Sequence, residues 1–232
     1  MSAVSAEKAR RRGIIALVTL GATLDLVYQH VNPHLCRKDR AYKHLDLHPD
    51  LSQRQIRLLR LQPGSPWSKI QCDLRVVSLE KADVPTYIAL SYTWNEPIQP
   101  WYQYLFYPHH ATILLNGHRF PVTRNLSTAL RHIRNAREPL DFWIDAICTN
   151  QDNYQEKEQQ VQLMPNIYSQ ADQTYVWLGP SADGSNRAMD FIKNANKLVT
   201  NDVNTILADK GLIPTRELTA LYHRTWWQRI WV

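Results

Sequence analysis

Cysteine, methionine and phenylalanine are scarce in this 232-residue chain, at three, three and four residues, and glycine occurs only seven times. So little glycine excludes a collagen-like chain. Three widely separated cysteines, an odd number, exclude a secreted disulfide framework. Cys36, Cys72 and Cys148 suit a reducing compartment instead, which points to the cytoplasm. No apolar run reaches the ~20 residues of a membrane-spanning helix. The nearest approach, Gly13 to Leu24, follows Arg10, Arg11 and Arg12 in the manner of a signal peptide, yet no small-x-small cleavage site follows. It reads as a buried or amphipathic helix attached to the domain. A membrane-associated segment is the second reading and a cleaved signal the third. Also missing are a P-loop, Gly-x-Gly-x-x-Gly, His-Glu-x-x-His and Cys-x-x-Cys, so none of the common phosphate, dinucleotide, zinc or redox signatures is present.

What the chain does have is the substance of a core. It is 44% hydrophobic and 21% charged, which excludes a disordered chain and fits one ordinary domain, or one domain with an extension. The net charge of +6 is unevenly placed: residues 1–80 hold thirteen basic and seven acidic side chains, whereas residues 81–232 hold fourteen of each. The excess belongs to the N-terminal third, divided here as a basic extension over 1–54 and a domain over 55–232. No nucleic-acid motif accompanies the charge, so no nucleic-acid partner is expected.

Hydrophobic patterning predicts strands at Gln55–Leu61, Ile70–Leu79 and Tyr87–Tyr92, and a hairpin around the turn pair Asn116-Gly117. Asn125 opens Asn-Leu-Ser, a glycosylation pattern short enough to recur by chance, and reads as the cap of a helix carrying Leu126, Ala129, Leu130 and Ile133. Leu140 to Ile147 suits a strand covered on both faces. A helix over Glu156–Ala171 places Val161, Met164, Tyr168 and Ala171 on one stripe, with Pro165 inside it as a kink or a sign of a later start. Thr174–Leu178 reads as a strand, and helices follow near Asn186–Val199 and Thr215–His223, before Trp226, Trp227 and Trp231. The alternation from Tyr87 onward implies an α/β fold, a mostly parallel sheet flanked by helices with a β-rich lead-in before it. Ligands of such sheets collect at the carboxyl ends of the strands. That directs attention to the loops after Tyr92, Asp145 and Leu178.

His44 and His48 have no third ligand nearby and Pro49 follows them, so no metal site is read there. His109, His110 and His118 read as solvated loop residues, and Cys148 as a buried structural thiol. Asp145 either binds something or caps the turn that follows. Glu156 opens a helix, where a carboxylate complements the dipole.

Tyr87-Ile88-Ala89-Leu90-Ser91-Tyr92-Thr93-Trp94 resembles the first block of the fungal heterokaryon incompatibility (HET) domain. Trp143-Ile144-Asp145-Ala146-Ile147-Cys148-Thr149-Asn150-Gln151 resembles its second block, followed at the family's spacing by Glu156, Gln160-Val161, Met164, Ile167-Tyr168, Ala171 and Trp177-Leu178-Gly179. Ile56-Arg57-Leu58-Leu59 through Cys72-Asp73-Leu74 is similar to the family's lead-in, and Trp226 to Val232 to its tryptophan-arginine-tryptophan block.

The resemblance implies an effector or signalling module of non-self recognition and regulated cell death, with a protein partner or self-association. It also implies a distant similarity to Toll/interleukin-receptor (TIR) domains, several of which cleave NAD. An enzyme reading therefore stands beside the first. Its pocket candidates are Ser91, Trp94, Asp145, Asn150, Gln151 and Glu156, with NAD as substrate and no resident cofactor or metal. Trp94 would stack on a ring and Asp145 would hold a ribose hydroxyl. Departures from the family pattern are Asn95 for a glycine, Thr149 for an apolar residue, Lys157 for an arginine, and Pro165. The family's last block continues into Gln-Glu beyond Val232. The expectation is thus a domain incomplete at its C-terminal end, without the glutamate that the TIR analogy would make catalytic.

Overall fold

β-branched and leucine-rich segments separated by short polar turns pair into one sheet. A computed structural model describes residues 38–48, 50–80, 84–94, 110–199 and 213–228. The apolar run at 13–24, Cys36, Asn95, His109 and Trp231 lie outside them. Strands β1 (Gln55–Leu61), β2 (Gln71–Ser78), β3 (Ile88–Tyr92), β4 (His110–Leu115), β5 (His118–Thr123), β6 (Leu140–Trp143) and β7 (Gln173–Trp177) are ordered β5-β4-β2-β1-β6-β3-β7.

Helices α1 (Lys38–Ala41), α2 (Arg124–Ile133), α3 (Asp145–Cys148), α4 (Tyr154–Gln170), α5 (Ser185–Val199) and α6 (Thr215–Tyr222) surround the sheet, with a final 3-10 turn at Thr225–Gln228. No helix among the described residues is long and apolar enough to cross a membrane.

The sheet is mixed, which corrects the expectation of a mostly parallel one. β1 pairs antiparallel with β2 and with β6, and β4 with β5, whereas β2–β4, β3–β6 and β3–β7 are parallel. The lead-in strands do not precede the sheet but supply its middle: β1 lies between β2 and β6. The parallel part is β6-β3-β7, built from the strand–helix alternation after Tyr87.

Asn116 and Gly117 both adopt positive φ, 51° and 76°, and close the β4–β5 hairpin as their residue types favour. The Asn116 side chain also accepts from Leu74 N and donates to Ala41 O, tying β2 and α1 to the turn.

Tyr168 of α4 meets Trp143 edge-on at 5.7 Å, and His132 of α2 meets Trp177 at 5.0 Å. Trp143 pairs with Ala89 and Trp177 with Tyr92, positions of opposite parity in β3. The two helices therefore cover opposite faces. Between them Trp143, Phe142, Tyr87, Tyr92, Leu58, Leu59 and Leu90 are fully buried. Each large apolar side chain removed from water in this way contributes about 1.5–3 kcal/mol.

Three local expectations are corrected. The cap of α2 is Thr123, whose hydroxyl accepts from Leu126 N, and Asn125 lies inside the first turn. The strand expected to reach Ile147 ends at Trp143, because Asp145 opens α3 two residues later. Helix α4 runs unbroken through Pro165 and begins at Tyr154, capped by Asn153. Its buried residues are Glu156, Gln160, Leu163 and Ile167, one position away from the expected stripe, and Val161 is 55% exposed.

Candidate functional site

The parallel register sets the carboxyl ends of β3, β6 and β7 side by side, at Tyr92, Trp143 and Trp177. β3 and β7 end together at the Tyr92–Trp177 pair, and β6 ends earlier, at Trp143 beside Ala89. Past β3, Trp94 is 38% exposed, and its indole Nε1–H donates to Asp145 Oδ2 at 3.0 Å. The other carboxylate oxygen accepts from Ala146 N at 2.8 Å, so Asp145 both binds across and opens its own short helix. Gln151 Nε2 donates to Asp145 O at 2.9 Å and folds the following loop back over it, while Gln151 Oε1 is buried with no hydrogen-bond partner. Trp94, Asp145 and Gln151 thus form one connected group.

Ser91 belongs to a second group. Its hydroxyl accepts from Trp226 Nε1 at 3.0 Å, and the Thr93 and Thr225 hydroxyls meet at 3.4 Å. Arg224 sets the Thr225–Gln228 turn in place by donating to Leu178 O and Pro180 O. The Asn125 side chain donates to Thr93 O at 2.8 Å and accepts from Trp177 Nε1 at 2.8 Å. One amide thereby joins the ends of β3 and β7 to α2.

Glu156 lies behind the loop and holds it at Asn150. The Glu156 carboxylate receives both terminal nitrogens of Arg57, at 2.5 and 3.0 Å, and Asn150 N at 2.6 Å. Arg57 is 0% exposed and Glu156 is buried. Arg57 also donates to Leu45 O and Cys148 O, and its guanidinium stands 5.0 Å from the centre of the Tyr42 ring. Glu156 therefore acts as an anchor for the loop that carries Asn150 and Gln151. Asn150 Oδ1 accepts from Asp152 N, which tightens the same loop.

Cys148 is wholly buried, and burial pushes its thiol from an ordinary 9.0 up to about 12. It is a packing residue with no thiolate to attack a substrate. Burial likewise raises the Tyr42 phenol, whose hydroxyl donates to Ile147 O.

Arg57, Thr93, Asn125 and Trp177 were not among the expected pocket residues. The available signal for Arg57 was a charge at the centre of a run, Gln55–Leu61, that is otherwise mostly apolar. A separate groove of about 260 Å3 lies along β7, lined by Leu90, Ile133, Thr174, Tyr175, Val176 and Trp177; it shares only Trp177 with this network.

Residues 87–232 match the family described as heterokaryon incompatibility protein (HET). The chain is similar to heterokaryon incompatibility protein 6, OR allele, of Neurospora crassa, at 40% identity over 149 residues, which is 59% of this chain and 20% of that protein. It thus spans about one fifth of the length of that relative. No solved structure matches.

Proposed function

The chain belongs to the heterokaryon incompatibility (HET) family, and from that membership we propose that it acts in fungal non-self recognition as an effector or signalling module of regulated cell death. The observation that carries this reading is the family match over residues 87–232. Within it, the blocks Tyr87–Trp94 and Trp143–Gln151 are the segments that meet at the carboxyl ends of the parallel strands. A TIR-like arrangement of the domain is supported by the parallel strands β6-β3-β7 at one side of the sheet. Such a module needs a surface for a protein partner or for another copy of itself, in a cytoplasmic setting that suits the free thiols of Cys72 and Cys148.

The test is inducible expression in a fungal host, with viable cells counted against Trp94→Ala and Asp145→Asn expressed at the same level. Killing by the unaltered chain and survival with either variant is the expected result. Survival in every case ends the effector reading.

A second reading, cleavage of NAD to release nicotinamide, is favoured by one observation. A half-exposed indole and a carboxylate stand together at the end of parallel strands, next to the unused acceptor Gln151 Oε1. The Asp145 carboxylate accepts from Trp94 Nε1 through one oxygen and from Ala146 N through the other. Nicotinamide formed from NAD by the purified chain, and reduced at least tenfold in Asp145→Asn, is the outcome this reading requires.

A further inference from the structure

Trp67 is 93% exposed, yet the loop that presents it is among the most heavily braced parts of the surface. Two arginines of the segment from α2 to residue 138 hold it from beneath. Arg131 donates to Pro66 O at 2.7 Å and Ser68 O at 3.0 Å. Arg134, itself buried, donates to Lys69 O at 3.0 Å, to Ser68 O at 3.3 Å and to Ser65 O. Ser68 N and Oγ turn back onto Ser65 O, and Gly64 N donates to Asn135 O. A Cβ at Gly64 would come within 2.7 Å of Ser68 Oγ and 3.0 Å of Arg134 Nη1, so a side chain there would push on the two groups that brace the loop.

The bracing has a chemical consequence. Four of the loop's carbonyls, those of Ser65, Pro66, Ser68 and Lys69, already hold charged donors, so the tip can leave bulk water without stranding them. From Gln62 to Ser68 the chain carries no charge, and around it stand Lys69, Arg131, Arg134 and Arg137 against two acids, Glu138 and Asp73, the latter accepting from Gln62 Nε2 at 2.7 Å at the foot of the loop. Among the described residues none of these four cations is in an ion pair. No other large apolar side chain is exposed on the loop or on residues 131–138. A protein interface centred on a tryptophan surrounds it with further contact area. A lone indole on a convex tip with a diffuse cationic rim fits the headgroup region of a bilayer, where tryptophan settles and basic residues meet anionic lipid.

We propose that the Gln62–Lys69 loop docks the protein on anionic lipid surfaces, with Trp67 as the interfacial anchor and Lys69, Arg131 and Arg137 as the charged rim.

Co-sedimentation of the full chain with vesicles tests it, using phosphatidylcholine alone and phosphatidylcholine with about one-third phosphatidylserine. The expected result is retention on the phosphatidylserine vesicles only, weakened by added salt. Trp67→Ala should lower the bound-to-free ratio about tenfold, and Lys69→Glu with Arg137→Glu should abolish binding. Because Trp67 is exposed, its variant should keep the thermal midpoint of the unaltered protein, which checks folding. Failure to bind either vesicle overturns the proposal, as does undiminished binding by Trp67→Ala. A Trp67-dependent association with soluble polyglutamate but not with vesicles also overturns it, in favour of an acidic protein partner.

Discussion

Arg57 sits in the centre strand with its guanidinium enclosed by a carboxylate, two carbonyls and an aromatic ring. Removing one member of such a buried pair leaves the other charged and without solvent. Arg57→Ala and Glu156→Ala should each lower the unfolding free energy by about 3–5 kcal/mol, measured in urea. Arg57→Met combined with Glu156→Leu should recover more than half of that loss. Single-variant losses under about 1 kcal/mol would show that the pair is not the anchor described.

The buried acids give a second expectation. The Cys72 and Cys148 thiols are raised from 9.0 to about 12, and the Tyr87 phenol from 10.0 to about 12, in each case chiefly by burial. The folded chain holds these protons where the unfolded chain has released them. Their contribution to stability is therefore full below pH 9 and is lost as pH rises through about 12. The thermal midpoint should fall steadily over that window. A thiol reagent at neutral pH should find at most one of the three cysteines in the native protein and all three in denaturant.

At the scale of elements, α2 and α4 show which signals survive in a sequence. The apolar positions of α2 are buried as its 3.6 period implies. Its cap was misplaced because Thr123 and Asn125 are both good capping types, and only three-dimensional contacts reveal that Asn125 is engaged by Thr93 and Trp177. Thr123→Ala should therefore cost about 1 kcal/mol of stability and leave the site intact. Asn125→Ala should instead change the fluorescence of Trp177 while α2 persists by circular dichroism. Equal effects of the two variants on both readouts would contradict this separation.

In α4, hydrophobic periodicity pointed one position away from the buried face. That face opens with Glu156, whose carboxylate is met by Arg57, and Gln160, whose Nε2 donates to Gln55 O while its Oε1 has no hydrogen-bond partner. A pattern search counts such residues as solvent-facing, since their burial depends on partners 99 and 105 positions away. The hairpin was legible for the opposite reason: the requirement of Asn116-Gly117 for positive φ is local.

For the whole molecule, the parallel β6-β3-β7 region could be read from strand–helix alternation and the carboxyl-end site from that. The place of β1 could not, because antiparallel pairing across the middle of a sheet leaves no trace in spacing. Its position has a structural price: the family match begins at residue 87, after β1 and β2, yet β1 supplies the edge on which β6 pairs and the cation that neutralises Glu156. Residues 84–232 produced without residues 1–83 should accordingly show no cooperative thermal transition, whereas the full chain should show one. A sharp transition from the shorter piece would make β1 dispensable.

The Arg57–Glu156 pair also bears on how such genes can diverge. Its two members are encoded 99 codons apart. A recombination event falling anywhere between them joins one parent's arginine to the other parent's helix. Exchanges between parents that do not share the pair leave one buried charge without its partner and yield a destabilised product, so shuffling among divergent copies is filtered at this junction before any choice of partner is exercised.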